Sequence, residues 1–116
     1  NLKQLVKRAR EKFGNKVAFR YKENNEIIEK SYIDFDADID CFGTALCASG
    51  LKGAKIAIIG ENRYEWAVSH LAIVNGTGIS VPLDKHLPEL EIKNLLDTIR
   101  KSTNHLLQFS LFLKML

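Results

Sequence analysis

The chain has 116 residues, 46% of them hydrophobic and 27% charged, with a formal net charge of +3 at pH 7. This length and composition are typical of one soluble globular domain with its own core. The small positive charge, without a basic stripe interleaved with aromatic residues, argues against a nucleic-acid partner. No apolar run reaches the roughly 18 residues that a membrane helix requires.

The two cysteines indicate a reducing compartment. Cys41 and Cys47 lie six positions apart, which on one helix is about 240° of rotation and roughly 9 Å of rise. That separation fits neither a disulfide nor a shared metal site. Together with the lack of a secretory signal pattern, it predicts a cytoplasmic protein.

The chain opens with a predicted helix and hairpin. Apolar residues at helical spacing predict an amphipathic helix from Leu2 to Phe13, with a basic face that we interpret as solvated. Residues 17–22 and 27–32 alternate around a polar turn at 23–26, which predicts a β-hairpin.

A second helix is predicted to run from about Ile33 to Ser49. Ser31 is its expected N-cap, and Asp34 stands at the capping-box position. Aspartates at 34, 36, 38 and 40 load its first turns with negative charge. Alternate helix positions point in different directions, so these carboxylates cannot converge on a metal ion, and we interpret them as a solvated acidic face. The apolar face is predicted to contain Phe35, Ile39, Phe42, Ala45 and Leu46.

Residues 55–85 predict one βαβ unit. The apolar run 56–59 is followed by a helical pattern and then by the apolar run 79–83. Trp66 is expected in the core of this unit. Asn62 is interpreted as the cap of a helix beginning at Arg63, although a functional role for 61–63 stays open.

The direction of the strands indicates where a ligand would bind. In an open parallel sheet, ligands bind outside the carboxyl ends of the strands. Two loops lie there, and their candidate residues are Glu61, Asn62, Arg63, Asp84 and Lys85. Gly76 and Gly78 run from helix into strand, opposite to a phosphate-binding loop, so a dinucleotide site is not expected.

No catalytic residue or metal ligand is predicted. His70, His86 and His105 are far apart in sequence, and none has an evident Asp or Ser partner. The sequence shows no recognisable nucleophile–base pair and no metal-ligand cluster.

After Asp84 the pattern predicts one more helix and then becomes ambiguous. Pro88 and the acids after it are typical of a helix start. Its expected packing face contains Leu90, Ile92, Leu95, Leu96 and Ile99. Residues 106–113 form an apolar run that fits either a third strand or a continued helix. The predicted fold class is therefore α/β: a partial parallel sheet with a βαβ(αβ) unit, preceded by an amphipathic helix and a β-hairpin.

Three stretches resemble the adenylate-forming (AMP-binding) superfamily, most closely its long-chain fatty acid–CoA ligase branch. Residues 30–35, KSYIDF, are similar to an early core motif of the family. Residues 56–66, IAIIGENRYEW, resemble a strand followed by the "E-N-R-x-E-W" helix start of that branch. Residues 71–84, LAIVNGTGISVPLD, resemble a second core motif ending in "V-P-L-D". The resemblance covers about residues 2–97.

The resemblance implies a two-step reaction. ATP, with Mg²⁺, activates a fatty acid as an acyl-adenylate, and CoA then displaces AMP. It also implies that Asp84, Lys85 and Lys93 lie near the CoA nucleotide. The family's ATP phosphate loop and catalytic lysine are missing from these 116 residues, so we expect no ligase activity from the chain alone and assign no cofactor to it.

The resemblance predicts residues 1–97 as the N-terminal subdomain and 98–116 as an atypical apolar end. That end is either a third strand or sequence foreign to the family, produced by truncation or an altered reading frame. The expected partner is the rest of the parent enzyme, and an uncovered apolar edge would favour self-association. The alternative function is a small non-catalytic α/β binding or interaction module.

Overall fold

The computed structural model describes residues 1–101. The apolar run 106–113, predicted as either a third strand or a continued helix, lies outside them. The first three elements follow the prediction. Helix α1 spans Leu2–Phe13, and strands β1 (Val17–Glu23) and β2 (Glu26–Ser31) form an antiparallel hairpin. Asn24 and Asn25 make its turn with positive φ, which asparagine adopts more readily than most residues.

Helix α2, Tyr32–Ala48, begins with the capping box that the sequence predicts. Ser31 Oγ accepts a hydrogen bond from the Asp34 amide at 3.0 Å, and Asp34 accepts one from the Ser31 amide at 2.9 Å. These two bonds satisfy donors that a helix N-terminus otherwise leaves free. Hydrogen bonds to the Asp34 carboxylate, first from the Ser31 backbone amide and then from the Ser31 side chain, hold the pKa of Asp34 below its usual range.

The second half of the described chain is the βαβ unit. Strand β3 (Lys55–Ile59) pairs in parallel with β4 (Ile79–Leu83). Helix α3 (Tyr64–Ala72) and a π-helical turn (Ile73–Thr77) connect them. The fold class is thus confirmed: mixed α/β with a parallel strand pair, preceded by a helix and a hairpin.

Gly78 sits where the π-helical turn enters β4, at the edge opposite the carboxyl ends of the strands. A Cβ on Gly78 would overlap the backbone oxygen of Ala54, and the Ile79 amide donates to that oxygen at 2.9 Å. The glycine therefore permits a close backbone approach, as predicted for a turn, and does not line an anion site.

The core consists of two clusters that meet around α2 and α3. One joins Leu46, Leu51 and Ile73 to the inner strand residues Ile56 and Ile58. Trp66 is partly buried against it. The second contains Ile39, Tyr64, Val68 and Ala72.

Helix α4 spans Glu89–Lys101, and its predicted packing face is only partly supported. Leu90 is 68% exposed and Leu95 39% exposed, whereas Ile92 and Leu96 are half-buried. The prediction relied on periodicity, which identifies an apolar face but not a partner for it. Ala45 of α2, also predicted to face the core, is exposed. Self-association through an uncovered apolar edge stays a prediction.

The charged faces of α1 and α2 are not merely solvated, and here the interpretation was wrong. Asp36 is 1% exposed, and its carboxylate accepts from Lys7 Nζ at 3.0 Å and Arg10 Nη1 at 2.8 Å. Lys7 also donates to Asp40 at 2.7 Å. Helical periodicity places these charges on polar faces, but it cannot show that two such faces pack against each other.

The environment of Asp36 has opposing effects on its pKa. Burial alone raises the pKa, but hydrogen bonds and charges from Lys7 and Arg10 outweigh it and hold the pKa below its usual range. The folded pKa is therefore lower than the unfolded value of about 3.9. The resulting stability is present above the unfolded pKa and is lost as pH falls through the folded one.

We predict that Asp36→Asn lowers the free energy of unfolding by about 3–5 kcal/mol, because it leaves two cations facing a buried amide. Asp40→Asn, at a half-exposed position on the same helix, is the matched control and should cost less than about 1 kcal/mol. Urea denaturation followed by circular dichroism measures both. Equal losses from the two variants would contradict the assignment.

A second expectation concerns pH. As pH falls below about 4 toward the lowered folded pKa of Asp36, the stability of the wild-type chain should approach that of Asp36→Asn, since protonation is then favoured in the unfolded chain. Urea midpoints at neutral pH and near pH 3 test this. A gap of constant size between the two chains would show that the charge of Asp36 is not responsible.

Candidate functional site

The two loops predicted to share the carboxyl edge of the sheet do meet there. Ile59 and Leu83 are partners at the carboxyl ends of β3 and β4. Just beyond them, Lys85 Nζ donates to Glu61 Oε1 at 2.8 Å. This bond holds the pKa of Glu61 below its usual range. The predicted placement of Glu61 and Lys85 at the carboxyl edge of the sheet is confirmed. Contact of these residues with a ligand stays a prediction.

Three other predicted residues have distinct surroundings. Asp84 Oδ1 accepts from the His86 amide at 2.8 Å, which stabilises the turn after β4. Arg63 Nε lies 3.9 Å from Glu65 Oε2. Lys93 is exposed on α4.

Asn62 does not cap α3, so that interpretation was wrong. The N-cap is Arg63, in extended conformation and without a side-chain cap hydrogen bond. The Arg63 amide donates to Glu61 O at 2.8 Å, and the resulting tight turn delays the helix by one residue. Asn62 is therefore exposed at the edge and its amide group is available to solvent.

An open groove of about 670 Å³ lies between β1 and the start of α3. Its lining residues are Phe19, Arg20, Tyr21, Lys22, Glu61, Asn62, Arg63, Tyr64, Trp66 and Ala67. Sequence reasoning missed the strand residues 20–22 because it predicted the hairpin without placing it beside the loop that follows β3. The aromatic alternation of Phe19 and Tyr21 was the available signal, since their rings lie 5.1 and 5.9 Å from that of Tyr64.

Tyr64 fixes the wall of this groove. Its hydroxyl donates to Asp38 Oδ2 at 2.6 Å, and Lys30 Nζ lies 5.4 Å above its ring. Burial first, and then the hydrogen bond and charge of Asp38, raise the pKa of Tyr64 far above its usual range. The phenol therefore stays neutral and serves as a donor at physiological pH.

His70 has a serine partner that the sequence did not reveal. Its Nδ1 lies 2.9 Å from Ser80 Oγ, and Trp66 stacks on its ring at 5.1 Å with 15° between planes. The expectation that no histidine has a Ser partner was wrong, because the parallel crossover brings α3 beside β4. The His70–Ser80 contact joins α3 to β4. The Trp66 ring, stacked on His70, packs against the first core cluster and also lines the groove.

The described residues do not form a metal site. Within residues 1–101 there is no group of three or more His, Cys, Asp or Glu side chains arranged to hold a metal ion. Over the same range, no helix has the length and apolar character needed to cross a membrane.

A family model described as "AMP-binding enzyme" matches residues 6–103, most of the chain. A search of curated proteins finds no match.

Several solved structures share the fold. The N-terminal subdomain of Klebsiella oxytoca NpsA in complex with 3-hydroxyanthranilyl-AMSN has a TM-score of 0.73 at 19% identity, over 85% of this chain and 25% of that one. IdnL1 has a TM-score of 0.77 at 17% identity, over 84% and 20%. The anthranilate CoA ligase AuaEII in complex with anthranoyl-AMP has a TM-score of 0.72 at 21% identity, over 86% and 19%. The chain thus spans about a quarter or less of each.

We predict that Tyr64→Phe lowers the free energy of unfolding by about 1.5–3 kcal/mol at neutral pH, because it removes a buried hydrogen bond to a carboxylate. Tyr32→Phe is the control, since the Tyr32 ring packs on Phe13 at 5.0 Å and phenylalanine preserves that packing. Urea denaturation compares them.

The difference in free energy of unfolding between wild type and Tyr64→Phe should become smaller above about pH 10. The raised pKa of folded Tyr64 gives stability that is present below the unfolded pKa of about 10 and is lost as pH rises toward the folded value. Repeating the denaturation at alkaline pH tests this. A difference that stays constant or widens would show that the hydroxyl is not protected from ionisation.

Proposed function

Because this chain belongs to the AMP-binding enzyme family, we propose that it forms the start of the catalytic domain of an ATP-dependent acyl-CoA ligase acting on long-chain fatty acids in the cytoplasm. At the coarser level, it is part of the N-terminal subdomain of an adenylate-forming enzyme. The acyl-CoA chemistry, the fatty acid and the compartment are the proposal.

The proposed reaction has two steps. A fatty-acid carboxylate attacks the α-phosphate of ATP, forming the acyl-adenylate and releasing pyrophosphate. The CoA thiolate then attacks the acyl carbonyl, the thioester forms, and AMP leaves. Mg²⁺ would neutralise phosphate charge during the first step, and residues outside the described part of this chain would hold it.

The observation that carries the proposal is the position of the motif residues. Glu61, Asn62 and Arg63 of the "E-N-R-x-E-W" stretch share one edge of the sheet with Asp84 of the "V-P-L-D" stretch. The Glu61–Lys85 ion pair connects the two loops. Ligands of open parallel sheets bind at this edge, which supports a role for the two motifs in lining a site.

The described side chains would orient the CoA nucleotide and would not take part in the bond changes. Lys85 and Lys93 are exposed cations after β4, suited to meeting the phosphates of the CoA nucleotide. Glu61 fixes the Lys85 ammonium through its hydrogen bond, and the turn closed by Asp84 fixes the loop backbone. The acyl-transfer and phosphate chemistry would come from the rest of the parent enzyme.

An aryl carboxylate is the second candidate substrate, and a specific observation favours it. Two of the similar structures hold aryl ligands, 3-hydroxyanthranilyl-AMSN in NpsA and anthranoyl-AMP in AuaEII. Pyrophosphate exchange by the parent enzyme, measured with fatty acids and with anthranilate in parallel, separates the two. Exchange with anthranilate alone would overturn the fatty-acid proposal.

We predict that the 116-residue chain by itself catalyses no ATP–pyrophosphate exchange with any carboxylic acid, because it contains neither a Ser/Thr/Gly-rich phosphate loop nor the family's C-terminal lysine. Robust turnover by the pure chain would contradict this. Sequencing the downstream DNA adds a second test. An in-frame phosphate loop supports the ligase, whereas an immediate stop favours the non-catalytic module.

In the parent enzyme, Lys93→Ala should raise the KM for CoA by about tenfold, the effect of losing one charge-assisted hydrogen bond, and leave pyrophosphate exchange unchanged. Lys52→Ala, at an exposed turn before β3, is the matched control and should change neither value. Equal effects of Lys93→Ala on both half-reactions would mean that Lys93 stabilises the domain and does not meet CoA.

A further inference from the structure

Within the described residues 1–101, one face of helix α1 is exposed and packs on no other element. Leu2, Leu5, Arg8 and Lys12 follow one another at steps of three and four, so they form one line along the helix. All four are exposed, with Leu2 at 48% and Leu5 at 62%. We call these four residues the α1 stripe.

Four of the cations of α1 divide into two groups, and Lys3 belongs to neither. The helix carries five cations and one acid, Glu11. Lys7 and Arg10 face α2 and pair with Asp36 and Asp40. Arg8 and Lys12 point away from these carboxylates. Lys12 Nζ lies 5.3 Å from the Phe13 ring centroid, and Lys12 is nevertheless exposed.

An apolar groove borders the leucine end of the stripe. It has a volume of about 280 Å³, and its lining residues are Leu2, Leu5, Val6, Ala9, Ala18, Phe19, Tyr32, Phe35 and Leu71. Every side chain of this set is apolar or aromatic. The exposed surface of α1 therefore combines a continuous apolar recess with cations at one end.

We propose that the α1 stripe docks the protein on an anionic lipid surface. A helix binds in the plane of such a surface when leucines enter the acyl boundary and cations meet the headgroups. The stripe has both, and they are contiguous. Charge complementarity favours this occupant over the chain's own residues 102–116, which contain no acidic side chain to neutralise Arg8 and Lys12.

The same argument disfavours a second copy as the occupant. Two stripes in contact would bring cations of both copies into one interface with only Glu11 beside them, and like charges at close range are destabilising. An acidic protein would satisfy the cations, but the apolar recess and the two exposed leucines favour the acyl boundary of a lipid layer. The proposal does not depend on the function proposed above.

The test is co-sedimentation of the full 116-residue chain with vesicles. We expect binding to vesicles of phosphatidylcholine and phosphatidylglycerol in equal amounts, little binding to phosphatidylcholine alone, and weaker binding as salt rises. Equal binding to both vesicles, or none to either, would overturn the proposal.

Two double variants test whether the cations of the α1 stripe make the contact. Arg8→Gln/Lys12→Gln should weaken partitioning into anionic vesicles about 25-fold, since each cation near such a surface contributes about fivefold. Lys52→Gln/Lys101→Gln removes the same charge from exposed positions elsewhere and should change it much less. Equal losses in both variants would show attraction by net charge alone and would overturn the assignment to α1.

A second comparison tests the leucines of the α1 stripe against exposed apolar residues elsewhere. Leu2→Ser/Leu5→Ser should weaken partitioning about tenfold or more, whereas Ile27→Ser/Leu90→Ser, at positions 69% and 68% exposed, should not. Circular dichroism of every variant checks that the helix persists. Sedimentation velocity showing a dimer that Leu2→Ser/Leu5→Ser abolishes, without vesicle binding, would overturn the lipid proposal in favour of a second copy. Binding to polyglutamate but not to vesicles would overturn it in favour of an acidic protein.

Discussion

The acidic face of α2 is the constraint on which the described fold depends. A carboxylate as buried as Asp36 is tolerated only when opposite charges and hydrogen bonds replace its water. Lys7 and Arg10 of α1 supply them. Two positions further along α2, on a different side of the helix, Asp38 accepts from Tyr64 at the start of α3. Two aspartates on one helix thus fix the elements on either side of it.

The contacts of α2 also fix the position of the candidate site. Tyr64 is anchored by Asp38, and its ring meets Phe19 and Tyr21 of the hairpin. The hairpin and α3 therefore keep a defined separation, and the groove between them is a consequence of it. At the sheet edge, the Glu61–Lys85 bond joins the loops that follow β3 and β4. The groove and the edge form one surface because α2 holds both halves of the chain.

Local patterns in the sequence predict most of the elements, because their causes are local. The Ser31 capping box and the parallel pairing of 55–59 with 79–83 follow from residues a few positions apart or from strand direction. Two of the errors share one cause, which is contact between different elements, whereas the wrong cap at Asn62 comes from a local turn between Glu61 and Arg63. The burial of Asp36 and the Ser80 partner of His70 arise from pairings across 26 to 29 and 10 positions. Periodicity identifies a polar face but not the partner it meets.

The family resemblance does not remove that limit. Its motifs supply an activity for the parent enzyme, but they do not distinguish the two kinds of cation on α1. Arg8 and Arg10 differ by two positions and have the same chemistry, yet Arg10 neutralises a buried carboxylate and Arg8 faces solvent beside exposed Leu5. Structure alone separates charges that stabilise the fold from charges that remain for a partner. The exposed residues of α1 lie outside the two buried core clusters. They can therefore change to suit a binding partner without altering those clusters.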